Sequence, residues 1–480
     1  MSKENTRTVD VAIIGAGSAG MNAYKAARQH TDNILVIENG GYGTTCADVG
    51  CMPSKLLIAA AEAAHSVAKA SAFGVQVENP HIDGKAVMER VRSERDRFVG
   101  FVKQDVFSWP EEHRIIGHAQ FVDANTLDVG GHTTVKARTI VIATGSRPSW
   151  PAAWDDLGDR LIINDDVFSW DDLPKSVAVF GNGVIGLELA QSLHRLGVRM
   201  RLFGLGGLVG PITDPRVKQS AREIFEAEYD FDPEADVTSI ERVGDSVRIT
   251  FRRDGEEVTE DFDYLLAATG RRPNTDKLAL ENAGVALDER GIPTEYDPST
   301  TRLGDSSIFI AGDAAPDIPL LHEASDMGRI AGDNAARFPF VGERPRRAPI
   351  AVAFSDPQIM MVGESFADLT EREADFVIGE VDYGGQGRAR VMLKNAGLLR
   401  VYADRTSGAF LGAEMVGPSA EHLAHLLAWS LQSERTIQQM VDSPFYHPVI
   451  EEGLRTALRA ARDQLALHAP TPCFDCRVAA

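Results

Sequence analysis

The strongest constraint on what this chain can fold into is a pattern that it carries twice. Val9 to Ile14 is a short apolar run ending in Gly15-Ala16-Gly17-Ser18-Ala19-Gly20, followed by a helix-compatible stretch and a second apolar run, Ile34 to Ile37, closed by Glu38. Val177 to Phe180 leads in the same way into Gly181-Asn182-Gly183-Val184-Ile185-Gly186, another helical stretch and a strand from Val198 to Phe203. A glycine turn between strand and helix lets backbone approach a pyrophosphate, and the helix N-terminus supplies positive potential there. The repeat therefore predicts two separate dinucleotide-binding folds. In the first, Gly15 permits the tight turn, Gly17 the close approach and Gly20 the helix packing, while Glu38 sits where a carboxylate accepts from a ribose hydroxyl. The second has the same three glycines, Gly181, Gly183 and Gly186, but its second strand ends at Phe203-Gly204-Leu205-Gly206-Gly207, with neither carboxylate nor arginine at the tip. An arginine there clamps a 2′-phosphate. Without that clamp the expected nicotinamide is NAD, with NADP the alternative, and Arg199 and Arg201 inside the strand read as strand-face charges.

Three further apolar strands end in glycine turns: Thr139 to Ala143 before Thr144-Gly145, Tyr264 to Ala268 before Thr269-Gly270, and Ile308 to Ala311 before Gly312-Asp313. Val87, Val91, Phe98, Val102 and Val106 recur at helical spacing and predict a core-facing helix. From about Ala348 the pattern changes to strand-like segments, Gly397 to Val401 and Ala409 to Met415 among them, and then two helices, which makes a third domain without a dinucleotide motif. A length of 480 residues fits that division, since one core serves about 150 residues. The formal charge of -21 argues against nucleic acid or an anionic membrane as partner, because both are polyanions. The polar start MSKENTRTVD lacks the pattern of a signal peptide, and no apolar run reaches the roughly 18 residues of a membrane span, so the expectation is a cytoplasmic protein.

Four cysteines are too few for a secreted disulfide scaffold, and their placement points to chemistry. Cys46-Ala47-Asp48-Val49-Gly50-Cys51 is followed by Met52-Pro53-Ser54-Lys55 and an alanine-rich helix, Leu56 to Ala70. Pro53 marks that helix's first turn, so Cys51 lies at its positive end, where a thiolate is stabilised. A zinc site needs two further ligands, and no second cysteine pair or histidine cluster lies nearby in sequence. The reading is a redox pair, with no metal.

At this point the sequence closely resembles the family that contains dihydrolipoamide dehydrogenase, glutathione reductase and mercuric reductase. The likeness runs over essentially the whole chain: the two glycine fingerprints, Gly43-Thr-Thr-Cys46-x4-Cys51-x-Pro-Ser-Lys55, Ala143-Thr-Gly145, Ala268-Thr-Gly-Arg-Arg-Pro-Asn274, Ala311-Gly-Asp313 and His447-Pro448. It implies an α/β chain with two Rossmann-like dinucleotide-binding domains plus an α+β C-terminal dimerisation domain. Residues 1–149 and 275–345 would bind FAD, 150–274 NAD(P), and 346–480 would form the interface of a homodimer whose active sites use both subunits. Cys51 would be the flavin-proximal thiol and Cys46 the interchange thiol. Lys55 would sit beside the flavin and pair with Glu188. Thr144, Gly145 and Asp313 would help hold FAD together with Gly15, Gly17, Gly20 and Glu38, and Gly270 would join Gly181, Gly183, Gly186 and Glu188 around NAD. His447 would be the acid/base and Glu452 the holder of its tautomer, with Val449 standing where the family has threonine.

The Cys46 segment and Gly183-Val-Ile-Gly-Leu-Glu188 most resemble the dihydrolipoamide dehydrogenase branch, which implies a dithiol or disulfide substrate, a lipoyl domain among the partners, and oxidation of dihydrolipoamide by NAD. The rivals are reduction of another disulfide or of mercuric ion, a quinone or diaphorase activity, and a flavoprotein subunit that only binds or senses. The tail adds a second pair, Cys473 and Cys476. It reads either as an incidental end or as a mobile dithiol that shuttles electrons.

Overall fold

The computed structural model describes residues 5–317 and 319–465, so the Cys473/Cys476 pair lies outside the described residues. Val11, Ala12 and Ile13 are all buried, an apolar run without alternation, as a strand covered on both faces requires. That strand, Asn5–Ile14, pairs in parallel with Ile34–Glu38 on one side and Thr133–Ile142 on the other, and Arg114–Ile116 extends the first side. Thr133–Ile142 is long enough to serve twice. Its first half pairs antiparallel with Thr126–Val129, and its last three residues pair in parallel with Ile308–Ile310, which brings the later segment back to the first fold. Helix Ser18–Ala27 follows the first fingerprint, and helix Leu321–Arg337 packs on it backbone to backbone. A Cβ on Gly328 would stand 2.2 Å from the Ala19 carbonyl oxygen, and one on Gly332 would stand 2.1 Å from that of Ala23.

The second fingerprint builds a smaller parallel sheet of Arg199–Phe203, Ser176–Phe180, Tyr264–Ala267 and Leu161–Ile162 in that order. A three-stranded antiparallel sheet, Asp236–Val243, Ser246–Arg253 and Glu256–Phe262, accompanies it. The two share a core in which Phe180 stacks on Phe203 at 4.8 Å and Phe251 meets Phe203 edge-on at 5.2 Å. Both nucleotide folds are thus in place, and the α/β class with them.

The chain divides into two compact units, residues 1–205 with 232–346, and residues 206–231 with 347–480. The second contains an antiparallel sheet ordered Ile350–Ala353, Gln358–Gly363, Phe410–Gly417, Leu398–Asp404 and Phe376–Asp382. Helix Glu451–Arg462 lies directly on it, since a Cβ on Gly379 would stand 1.9 Å from the Ala457 carbonyl oxygen. This division keeps 150–205 and 232–274 in one unit with the segments expected to bind FAD, and it groups 206–231, assigned by sequence to the segment 150–274, with the C-terminal unit. Polar contacts tie that segment to the C-terminal sheet. Asp214 caps helix Pro215–Glu228 with one carboxylate oxygen and accepts from Arg400 at 2.6 Å and the Tyr402 hydroxyl at 3.1 Å with the other. The buried Glu414 carboxylate accepts from the Thr213 and Asp214 amides at 2.7 and 2.8 Å. Buried carboxylates need such partners, and these partners lie on both sides of a long sequence gap. Among the described residues no helix is long and apolar enough to cross a membrane.

The close approach of helices Ser18–Ala27 and Leu321–Arg337 makes a stability prediction. Gly332→Ala forces a methyl against the Ala23 carbonyl and should destabilise the protein by roughly 1–3 kcal/mol, the usual cost of overpacking. Thermal unfolding of the FAD-loaded protein checks it: an unchanged midpoint would contradict the packing.

Candidate active site

The cysteine pair is held by its own loop. Thr44 caps the short helix Thr45–Asp48, accepting from the Ala47 amide at 3.1 Å, and this fixes Cys46 on the helix. Val49 and Gly50 connect it to Cys51, the first residue of helix Cys51–Lys69. A side chain at Gly50 would meet the Thr45 carbonyl oxygen at 2.8 Å, so the connector closes only with glycine. Both thiols are half-buried and free in this structure. The Cys46 thiol donates to the Cys51 sulfur. That hydrogen bond, with the Lys55 ammonium nearby, outweighs burial and pulls Cys51 down to about 7. The same bond and burial push Cys46 up. One sulfur is poised as a thiolate, and the other keeps the proton.

Lys55 lies one helical turn beyond Cys51, on the same face. Its ammonium meets both oxygens of Glu188, at 2.8 and 3.0 Å. Glu188 stands on helix Val184–Arg195, directly after the second glycine turn, and is only 4% exposed. The two sequence-named residues therefore come together across the two nucleotide folds.

The residues around each fingerprint fit a dinucleotide. Gly15 has φ +105°, and a Cβ there would lie 2.3 Å from the Ala143 carbonyl oxygen; Gly181 has φ +114°, and its Cβ would lie 2.2 Å from that of Ala268. The third glycines, Gly20 and Gly186, each press on the first, whereas Gly17 and Gly183 face open space, as close approach of a pyrophosphate requires. Gly145 and Gly270 likewise leave their turns open. The buried Thr144 hydroxyl has no protein partner, a polar group that a bound cofactor would satisfy. Glu38 accepts from the Ala16 amide at 2.8 Å and the Gly40 amide at 3.1 Å, which ties the acidic strand end to the glycine loop. Asp313 accepts from the Ser146 hydroxyl at 2.8 Å. Arg201 is buried against Glu260, at 2.8 Å, and over the Phe251 ring, while Arg199 reaches the same carboxylate at 3.2 Å.

His447 belongs to the second unit. Glu452, in the first turn of helix Glu451–Arg462, accepts from its Nδ1 at 3.0 Å and from the Val449 amide at 3.3 Å. The hydrogen bond from His447 holds the Glu452 carboxyl below its ordinary range. A carboxylate on Nδ1 fixes the proton there and leaves Nε2 with its lone pair. His447 is 80% exposed, so that lone pair is offered outward. Among the described residues no group of His, Cys, Asp and Glu gathers as a metal site.

One feature was not legible in advance. Cys46 opens on a pocket of about 350 Å³ lined by Met21, Met52, Phe98, Phe101, Val102 and Lys25 among others. Val91 and Val106 are buried as helical spacing predicts, but Phe98 and Val102 from the same stripe are half-buried and line this pocket. Lys25 is held by Asp105 at 2.7 Å. Asn164 was missed as well: its side-chain amide donates to the Val49 carbonyl at 2.7 Å.

Residues 9–328 match the pyridine nucleotide-disulphide oxidoreductase family, and residues 350–458 match the dimerisation domain of the same family. The chain is 30% identical over 474 residues to a dihydrolipoyl dehydrogenase of Chlamydia muridarum, covering 96% of this chain and 98% of that one. A dihydrolipoyl dehydrogenase of Geobacillus stearothermophilus is 29% identical over 469 residues, covering 95% and 96%. Among solved structures, the fold is shared with the HOCl-induced flavoprotein disulfide reductase RclA from Escherichia coli (TM-score 0.78, 23% identity, 94% of this chain and 99% of that one). It is also shared with LpdA from Mycobacterium tuberculosis (TM-score 0.79, 24% identity, the same coverage). With both parts of the family matched in order along nearly the whole length, the chain belongs to the pyridine nucleotide-disulphide oxidoreductases, FAD-dependent enzymes that use NAD(P) and pair as homodimers through the C-terminal domain.

Proposed function

We propose that the enzyme is a dihydrolipoamide dehydrogenase, oxidising the dithiol of dihydrolipoamide, free or carried on a lipoyl domain, with NAD as acceptor. The observation that carries this reading is the pocket at Cys46. Its lining is mainly apolar, and its lysine is already paired with Asp105. A lipoyl group presents two sulfurs on an uncharged aliphatic chain and matches such a lining. Glutathione carries carboxylates, which would need cations that are free to receive them. The relatives of similar length carry the same activity in their names. For the nicotinamide, the engagement of Arg199 and Arg201 by Glu260 leaves neither to clamp a 2′-phosphate, which supports NAD.

The bound flavin supplies the two-electron relay between the cysteine pair and the nicotinamide. The protein's residues do the rest. His447 Nε2, contributed by the second copy of the homodimer, takes the proton from one substrate thiol, and Glu452 holds the ring in the tautomer that can do so. The substrate thiolate attacks the Cys46 sulfur of the Cys46–Cys51 disulfide, and Cys51 leaves as a thiolate. The second substrate thiol then attacks the mixed disulfide, closing the lipoamide ring and returning Cys46 as a thiol. Two electrons and two protons have then left the substrate. Cys46 carries the substrate in that step and has no proton to donate, so the Lys55 ammonium and the helix N-terminus are what stabilise the leaving Cys51 thiolate.

The direct test is turnover of the purified, FAD-loaded protein with dihydrolipoamide and NAD, beside oxidised glutathione and other disulfides with NADH and NADPH. Turnover confined to another disulfide would overturn the substrate, and none at all with a reducible Cys46/Cys51 pair would favour a binding or sensing subunit.

Cys46→Ser should cut dithiol turnover by about 10³-fold or more while NADH still reduces ferricyanide, because only the interchange sulfur is lost. Equal loss of both activities would contradict the relay.

The pH dependence has a definite sign. A Cys51 pKa lowered to about 7 means thiolate above that pH and thiol below it. Alkylation of Cys51 in the reduced protein, followed peptide by peptide, should therefore rise with a midpoint near 7. Cys46→Ala removes the largest lowering cause, and the midpoint should climb by about one unit. A midpoint that stays put would assign the lowering elsewhere.

A further inference from the structure

We propose that Asn164 is a positioning residue that sets the dithiol–disulfide balance of Cys46 and Cys51 by holding the connector between the two sulfurs from the second nucleotide-binding fold. The inference rests on the redox role proposed above for the pair. Asn164 is 5% exposed and opens the short helix Asn164–Val167, just after strand Leu161–Ile162. That strand is tied in parallel to Tyr264–Ala267, so the asparagine projects from a sheet rather than from a free loop. Its side-chain nitrogen donates to the Val49 carbonyl at 2.7 Å and to Asp165 Oδ1 at 2.9 Å. Both partners accept and both amide hydrogens are used, so the group has no alternative assignment in place.

Val49 is one of four residues between the sulfurs. Its amide is satisfied within the loop by the Thr45 carbonyl at 3.0 Å, whereas its carbonyl is taken by Asn164, 115 residues away. The remaining supports of the connector are steric or local: the Thr44 cap and the forced glycine at Gly50. Arg95 reaches the connector more weakly, standing 4.0 Å from Asp48 while donating to the Phe168 carbonyl at 3.0 Å. Asn164 is thus the strong distant hold on the connector. It is made in the reduced form described here, in which the Cys46 thiol donates to Cys51.

The hold continues toward the flavin residues. Asp165, half-buried beside Asn164, has its carboxyl pushed up by desolvation, and the charge of Arg271 opposes that. The Arg271 guanidinium donates to the Ser146 hydroxyl at 2.8 Å, and that hydroxyl donates to Asp313 at 2.8 Å. Hydrogen bonds thus link Arg271 to the carboxylate expected at the flavin, and the charge of Arg271 acts on Asp165 beside Asn164. Loss of the amide would leave the Val49 carbonyl without its partner and let the connector turn. The Cys46-to-Cys51 hydrogen bond would weaken, and with it the preference for the dithiol.

The test equilibrates holoenzymes in mixtures of reduced and oxidised dithiothreitol. The protein disulfide takes two electrons and two protons from the reagent, whose thiols close into a ring disulfide, and the Cys46/Cys51 state is read by trapping and peptide mass. Asn164→Ala should lower the dithiol-to-disulfide ratio about fivefold, the scale of one hydrogen bond. It should also raise the midpoint pH of Cys51 alkylation. Asn164→Asp keeps the size but sets a carboxylate against a carbonyl and Asp165, so it should do at least as much; behaviour like wild type would show that packing, not the donor, matters. Variants that melt earlier but keep the wild-type ratio and midpoint would sink the proposal, as would failure of both to take up FAD. A wild-type pair that never cycles between dithiol and disulfide would sink the redox role itself, a different outcome.

Discussion

The ion pair between Lys55 and Glu188 is the contact on which the arrangement of the site depends. A carboxylate that is 4% exposed is costly without a cation, and Glu188 finds its cation on the helix that begins with Cys51. The two nucleotide folds cannot separate at this point without stranding a buried charge. The same ammonium lies one turn from Cys51 and lowers its pKa, so the group that joins the folds also tunes the sulfur. Breaking the pair from the Glu188 side would leave Lys55 beside the thiols with a different neighbour, and stability and sulfur chemistry would change together.

What the sequence made legible was whatever sterics and short spacing enforce. The glycine turns could be read because the backbone passes so close to its neighbour at Gly15 and Gly181 that no Cβ fits. The cysteine loop could be read because two sulfurs, a proline and a lysine fall within ten residues of one helix start. Periodicity was less informative. The stripe through Val91, Phe98, Val102 and Val106 identifies a face, but a core and a pocket present the same stripe, and only the three-dimensional neighbours separate Phe98 from Val91. Asn164 and the segment 206–231 were hidden for a related reason: an amide on a carbonyl 115 residues away, or a carboxylate on an arginine in another sheet, leaves no local pattern.

Buried charge in this acidic chain follows one rule throughout. Glu188, Asp214 and Glu414 are each buried and each fully engaged, by an ammonium, by a guanidinium and a phenol, and by backbone amides respectively. The buried Glu323 is paired likewise, with Arg346, and at Glu188, Asp214 and Glu414 the interior carboxylate also has a positional task. In the C-terminal unit that task is to bind helix Pro215–Glu228 to the sheet. In the first unit it is to fix the helix that carries the sulfurs.

The proposed chemistry divides the proton and the electron pair between two places. Cys51 receives negative charge and is stabilised by the first unit; His447 receives the proton and is stabilised by Glu452 in the second. The division has a thermodynamic logic. A base placed where the thiolate is stabilised would have its own proton affinity changed by the sulfur it serves, and the two would titrate as one coupled pair. The hydrogen bond from His447 holds the Glu452 carboxyl below its ordinary range and fixes the ring proton at Nδ1, which leaves Nε2 as the acceptor. In the proposed reaction the base would come from the second copy of the homodimer, and the substrate dithiol would be what connects the proton to the sulfur charge.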